Sequence, residues 1–432
     1  MADSFRSDIP KAEKFVHVVL ETVVFIWNWT KRFRVSIQRW KKIQPQPDWT
    51  LPRIPQLDGL RGIAIALVLL HHYIYQMHPS MPDALSAILI PVAELGWSGV
   101  DLFFILSGFL IGGILVDAKE SVNYYRTFYI RRVLRILPIY FFLVLLGFLL
   151  VELGAHAGGA MSGISLHPAP WRYYLTFTQN FYFARHSDVL SYLQVTWSLA
   201  VEEQFYLTLP LLVRRVDKDK LLAVAVGMVV FIGVLRSVLY WNGHINAMQS
   251  YVLPFCRFDS LFIGVACAML MRNRSLFTRL QKYTKLLAAA TIVLGCVFFY
   301  MDHHLWGRNI FLHTAGFTIV GLFYAAVMML VLVHPEGVIS RALRYKPLMS
   351  LGTISYCVYL IHGYVLVIID HLLQMALRLS VFEMWAAILL GAAMTILLAQ
   401  GSWVLFESRM IALGHRFAYE RNETPEPAED RA

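Results

Sequence analysis

Residues 57 to 73 read L-D-G-L-R-G-I-A-I-A-L-V-L-L-H-H-Y, an apolar run that opens on an aspartate and an arginine and closes on two histidines. At about 1.5 Å of rise per helical residue, Arg61 and His72 stand roughly 16 Å apart along the axis. An arginine at one membrane face is thereby tied to an imidazole near the middle of a hydrocarbon core about 30 Å thick. Ionisable groups at that depth are costly, which makes them functional-site candidates.

Working outward, the chain has 432 residues, of which 58% are hydrophobic and 15% charged, with a mean hydropathy of +0.56. Several apolar runs approach or exceed the roughly 20 residues that cross a bilayer as a helix. The expected fold is all-α, a polytopic transmembrane helical bundle of about ten spans. These fall at 60–77, 97–117, 136–154, 192–213, 221–240, 255–271, 286–301, 309–333, 348–374 and 382–406. A β-barrel would show shorter, alternating segments, and a soluble chain of this size could not hide so much apolar surface in one core.

The formal net charge of +10, from 38 Lys+Arg against 28 Asp+Glu, resides mainly in the short polar connections. That is the signature of membrane topology, and it places both termini in the cytoplasm. No basic stripe with interleaved stacking aromatics is present, so nucleic acid is not an expected partner. The four cysteines follow neither a metal-site nor a disulfide pattern, and no metal is expected. Three parts follow: residues 1–56 as a basic cytoplasmic or interfacial extension, 57–410 as the membrane domain, and 411–432 as a short polar cytoplasmic tail. The apolar piece from Leu85 to Leu95 is too short to span and reads as re-entrant or interfacial. The connection from Gly154 to Ser191 is the longest and rich in aromatics.

Within the spans, His71 and His72 are adjacent and lie on different helix faces. Arg61 and Asp58 sit three apart at the first span's entry, where capping and snorkelling are the simplest roles and contact with an incoming anion the functional one. In F-Y-I-R-R-V-L-R-I-L-P, Arg132 and Arg135 share a face suited to phosphate, and Arg131 is expected to turn away. Asp101 lies inside the apolar second span and needs a partner, for which Arg132 or Arg135 is a candidate. In V-T-W-S-L-A-V-E-E-Q-F-Y, Ser198, Glu202 and Tyr206 recur every four residues as a polar stripe, with Glu203 on a neighbouring face. Such a stripe serves a proton relay in a transporter or orients a histidine in an enzyme. Tyr206, Arg257, Asp259 and His362 are candidate substrate contacts. For Arg257, Asp259 and His362 an interhelical strut is the alternative.

Taken in order, L-D-G-L-R-G with its histidine, G-V-D-L-F-F-I-L-S-G-F-L-I, R-R-V-L-R-I-L-P-I-Y, W-S-L-A-V-E-E-Q-F-Y and I-S-Y-C-V-Y-L-I-H resemble the blocks of the acyltransferase 3 family across residues 57 to 410. The resemblance implies a ten-span membrane O-acyltransferase that moves an acyl group, commonly acetyl, from acyl-CoA to a hydroxyl of a glycan, glycolipid or related acceptor. By the same resemblance, Arg61 and His72 correspond to the family's basic-residue-to-histidine pair, Arg132 and Arg135 to its paired arginines, and Ser198 and Glu202 to its W-S-x-x-x-E block. His72 is then the expected general base, with Glu202, Asp101 and Ser198 beside it. Acyl-CoA is a co-substrate, and no tightly bound cofactor is expected. The final F-E-S-R-M lacks the proline that usually follows the glutamate, leaving Glu407 without an assigned role. The expected location is the bacterial inner membrane, and the alternative function is a proton-coupled transporter or flippase of a glycan or lipid precursor.

Overall fold

Val226, Val230, Val234 and Val238 recur every four residues along one helix, and all four are exposed. A helix that presents so regular an apolar stripe outward is built to face lipid. The computed structural model describes residues 54–77, 83–157, 169–186, 193–305, 310–375 and 381–420. The N-terminal extension up to residue 53, much of the 154–191 connection and the acidic end after residue 420 lie outside the described residues.

Among the described residues the regular elements are helices, with no strand. They include α1 (Pro55–Leu70), α2 (Asp83–Glu94), α3 (Gly99–Asp117), α4 (Tyr124–Ala157), α5 (Trp197–Arg215), α6 (Lys218–Trp241), α7 (Pro254–Arg272), α8 (Thr284–Leu305), α9 (Phe317–Val333), α10 (Lys346–Thr353), α11 (Ser355–Met375), α12 (Val381–Ser402) and α13 (Ser408–His415), with further helical segments of nine residues or fewer between. Eight helices among the described residues are long and apolar enough to cross a membrane, or nine if α10 and α11, bent by 74°, form one span. The fourth expected span is present as α5, which carries Glu202, Glu203, Arg214 and Arg215 and so falls outside that set. The multi-pass helical membrane fold is therefore as expected.

The bundle has a centre and a rim. The apolar stretches of α2–α3 and of the segment ending in α7 are each 78% buried, against 22% for α6 and 17% for α8. α3 packs along α7, and α1 lies against both α3 and α10. The glycines of L-D-G-L-R-G allow that approach, because a Cβ at Gly62 would run into the Leu348 carbonyl of α10 and one at Gly59 into the Leu343 carbonyl of the short helix just before it. The apolar piece before the second span is neither separate nor re-entrant. α2 continues through a 3-10 turn at Leu95–Ser98 into α3 as one 35-residue unit. At about 1.5 Å per residue that is roughly 52 Å, longer than the hydrocarbon core is thick.

Candidate active site

A cavity of about 830 Å³ opens between α1, α3, α4, α5 and α11. Its three arginines from R-R-V-L-R come from a helix rather than a loop. α4 starts at Tyr124, twelve residues before the expected span, because nothing in Y-Y-R-T-F-Y-I-R-R-V-L-R breaks a helix and arginine and leucine are good helix formers. Arg61, Arg131, Arg132, Arg135, Arg272 and Arg416 line the cavity, against the carboxylates Asp58, Asp117 and Glu202. Two of those three carboxylates are engaged by neighbours: Asp58 lies 4.0 Å from Arg61, and Asp117 accepts from Arg272 Nε at 2.7 Å and Nη2 at 2.5 Å. Among the described residues neither Arg132 nor Arg135 has a carboxylate ion-pair partner. The Arg132 guanidinium lies 5.6 Å from the Tyr206 ring centre and 5.9 Å from that of Phe128, and its buried Nε meets no acceptor among the described residues. The expectation that Arg131 turns away is corrected. The cavity is broad enough to admit two neighbouring faces of α4, and Arg131 lines it as well.

The polar stripe of α5 runs up one wall. Ser198, Glu202 and Tyr206 all line the cavity, with Glu202 within electrostatic reach of Arg61, Arg132 and Arg135. Ser107 of α3 is hydrogen-bonded to the Tyr206 hydroxyl. Tyr359 of α11 donates to the Val195 carbonyl at 2.9 Å and meets the Ser198 hydroxyl at 2.6 Å. Tyr359 falls inside the block I-S-Y-C-V-Y-L-I-H but carried no assigned role there; its spacing of three from His362 was the available signal.

His72 and His362 do not line the cavity but lie just beyond it. The Tyr359 and His362 ring centres are 5.6 Å apart, and His362 meets His72 edge-on at 4.7 Å. α1 widens into a π turn at His71–Tyr75, which sends the two histidines to different neighbours. His71 places Nδ1 3.2 Å from the Ala93 carbonyl and stacks on Tyr75. His72 places Nδ1 2.8 Å from the Val68 carbonyl, and His362 places its own 2.5 Å from the Tyr359 carbonyl. A carbonyl only accepts, so in each neutral ring Nδ1 carries the proton and Nε2 keeps a lone pair. The buried Nε2 of His362 has no partner among the described residues.

Asp101 lies apart from this group, and its expected partner is corrected. It bonds Arg257 at 2.8 Å and Ser260 at 3.0 Å, rather than Arg132 or Arg135, because α3 packs along α7 and its carboxylate meets that helix first. Asp259 pairs with Arg236 at 2.7 Å and with Thr318 at 2.6 Å. All four charged side chains are fully buried and none lines the cavity. Arg257 and Asp259, candidate substrate contacts on sequence, are thus placed as struts between α3, α6, α7 and α9. Arg236, a lone charge within the apolar α6, is the partner that a scan for intramembrane charges could have flagged.

A family model described as an acyltransferase domain matches residues 54–404. The chain belongs to this family, acyltransferase 3. Among its relatives, the peptidoglycan O-acetyltransferase OatA of Listeria monocytogenes is 28% identical over 369 residues, 82% of the chain and 55% of that protein. The O-acetyltransferase OatA of Staphylococcus aureus (strain NCTC 8325 / PS 47) is 27% identical over 343 residues, 73% of the chain and 51% of its own length. The chain thus spans about half the length of these relatives. No solved structure matches it.

Proposed function

We propose that this chain is a membrane O-acetyltransferase that moves acetyl from an acyl-CoA donor to a hydroxyl of a cell-envelope glycan, with His72 as general base. The observation that carries the reading is the arginine-lined cavity whose far wall, at Tyr359, abuts a histidine pair. Its volume suits a ligand of cofactor size. Its excess of guanidinium over carboxylate suits a donor with several phosphates, bound bidentately by Arg132 and Arg135 with Arg61 alongside. The thioester end then points past Tyr359 toward His72.

The chemistry follows from the tautomer. Val68 holds the Nδ1 proton of His72, so Nε2 is the basic atom. It takes the proton of the acceptor hydroxyl as that oxygen attacks the thioester carbonyl. The C–S bond breaks and the proton passes from Nε2 to the leaving sulfur, giving the ester and free thiol. His72 is favoured over His71 because it faces His362 and the cavity wall, whereas His71 is turned onto α2 and Tyr75. Ser198 and Glu202, expected beside His72, line the cavity that His72 does not, and in this reading they flank the donor path. Asp101 is assigned to holding α3 on α7, since it is spent on Arg257.

Charge topology supports an arginine end in the cytoplasm and an inner-membrane location. The glycan acceptor rests on the relatives named for O-acetyl transfer to peptidoglycan. The test is donor kinetics on purified protein. Arg132→Ala should raise the donor KM roughly 10- to 100-fold with a smaller effect on kcat, the scale of one charged hydrogen-bonding contact. An unchanged donor KM removes the arginines from the donor site.

A further inference from the structure

The family match stops at residue 404, yet the cavity has a wall built from residues after it: Ala412, Gly414, His415, Arg416 and Tyr419. We propose that this C-terminal strap carries a separate phosphate subsite, formed by Arg131, His415 and Arg416, that reads a phosphate monoester at the end of the donor remote from the thioester. The inference rests on the reading of the cavity as a donor site and adds to it how the distal end of the donor is recognised.

The strap is fixed rather than loose. Val122 donates its backbone N–H to the Glu420 carbonyl at 3.0 Å, and Glu420 returns its own to Asn123 Oδ1 at 3.0 Å. Asn123 Nδ2 donates to the Ala418 carbonyl at 2.9 Å, and Arg131 Nε to the Phe417 carbonyl at 2.8 Å. The Arg131 guanidinium also lies 5.2 Å from the centre of the Tyr419 ring. Gly414 lies against α4, where a Cβ would stand 3.6 Å from the Arg131 Cα, an ordinary packing distance. Backbone bonds at both edges therefore place three basic side chains at one end of the cavity.

The charge of the two arginines is not cancelled locally, while partial burial and the neighbouring Arg131 hold His415 below the usual imidazole range, so it contributes as a neutral donor. Of the carboxylates that line the cavity, Asp58 and Asp117 face Arg61 and Arg272, and Glu202 lies on α5. Among the described residues neither Arg131 nor Arg416 has a carboxylate ion-pair partner. With one Arg131 nitrogen spent on Phe417, its terminal nitrogens remain to donate. Arg416 and His415 are exposed and can reorient onto an anion. Arg131 stands one helical turn from Arg135, so this subsite adjoins the Arg132–Arg135 pair and differs from it by the strap residues His415 and Arg416. A donor with a phosphoanhydride and a separate terminal phosphate, as in coenzyme A, matches two such clusters.

The test compares binding of coenzyme A and of 3′-dephospho-coenzyme A to the full chain. Wild type should prefer coenzyme A by about tenfold or more, and Arg416→Ala with His415→Ala should bring the two ligands to within about threefold. Arg132→Ala should weaken both ligands while keeping the preference. If wild type binds both equally, or the strap variant keeps the wild-type preference, the subsite is refuted while the donor reading stands. If neither ligand binds, the donor reading itself falls. An anionic lipid headgroup shares this chemistry, so loss of the preference on adding phosphatidylglycerol would assign the subsite to lipid and overturn the proposal.

Discussion

Replacing Asp101 by alanine removes one half of an ion pair whose partners are both 0% exposed and 2.8 Å apart. The cost is dominated by the charge left behind, because Arg257 cannot reach water, and breaking a buried pair in this way typically costs about 3–5 kcal/mol. Two neighbours soften it. Arg257 lies 4.1 Å from the Phe317 ring centre and keeps electrostatic contact with Asp259, which points to about 3 kcal/mol, the lower end of that range. For a chain of this length that corresponds to a fall in Tm of about 3 °C. Asp101→Ala with Arg257→Met removes both charges and should recover most of the loss, since apolar replacements of a buried pair are often neutral. Thermal unfolding of the purified protein in detergent, followed by donor turnover at a temperature where all variants are folded, checks both points. A double variant whose Tm falls by the sum of the two single losses would refute the strut. A stable double variant with no turnover would return Asp101 to the chemistry.

Other outcomes follow from the same geometry. His71→Ala should retain turnover within about tenfold of wild type, because its ring is committed to Ala93 and Tyr75; a complete loss, in a protein that still folds, would exchange the roles of the two histidines. Tyr359→Phe removes the hydroxyl that joins α11 to Ser198 and should lower kcat more than it raises donor KM, a split that steady-state kinetics resolves. Gly59→Leu should prevent α1 from seating on the segment at Leu343, read as loss of a monodisperse peak in detergent; a normal peak and Tm would contradict that packing.

The helical bundle was legible because apolar runs near the length of a membrane span leave few alternatives. The stripe of Ser198, Glu202 and Tyr206 was legible for a similar reason: a spacing of four fixes one helix face whatever the neighbours are. Pairings across the bundle were not. Asp101 sits 156 positions from Arg257, and nothing local says that α3 meets α7 before α4. Arg131 was misjudged because a face argument treats a cavity as a line, whereas this one is wide enough to collect two faces of α4 and the strap after α12. The preference for His72 over His71 came from the family's spacing, whereas the neighbours of each ring, Ala93 and Tyr75 for His71 and His362 for His72, had no mark in L-L-H-H-Y. The strap was hidden by composition, since H-R-F-A-Y-E reads as an exposed tail until its backbone bonds to Val122 and Asn123 are in view.

The most direct measurement is thiol release by purified His72→Gln protein given acetyl-CoA and a glycan acceptor, paired with donor binding by the same sample. The account predicts acceptor-dependent release of free coenzyme A by wild type, its loss in the variant by at least about a hundredfold, and donor affinity unchanged within about threefold. Full release by the folded variant, or acceptor movement by wild type without any thioester cleavage, would contradict it.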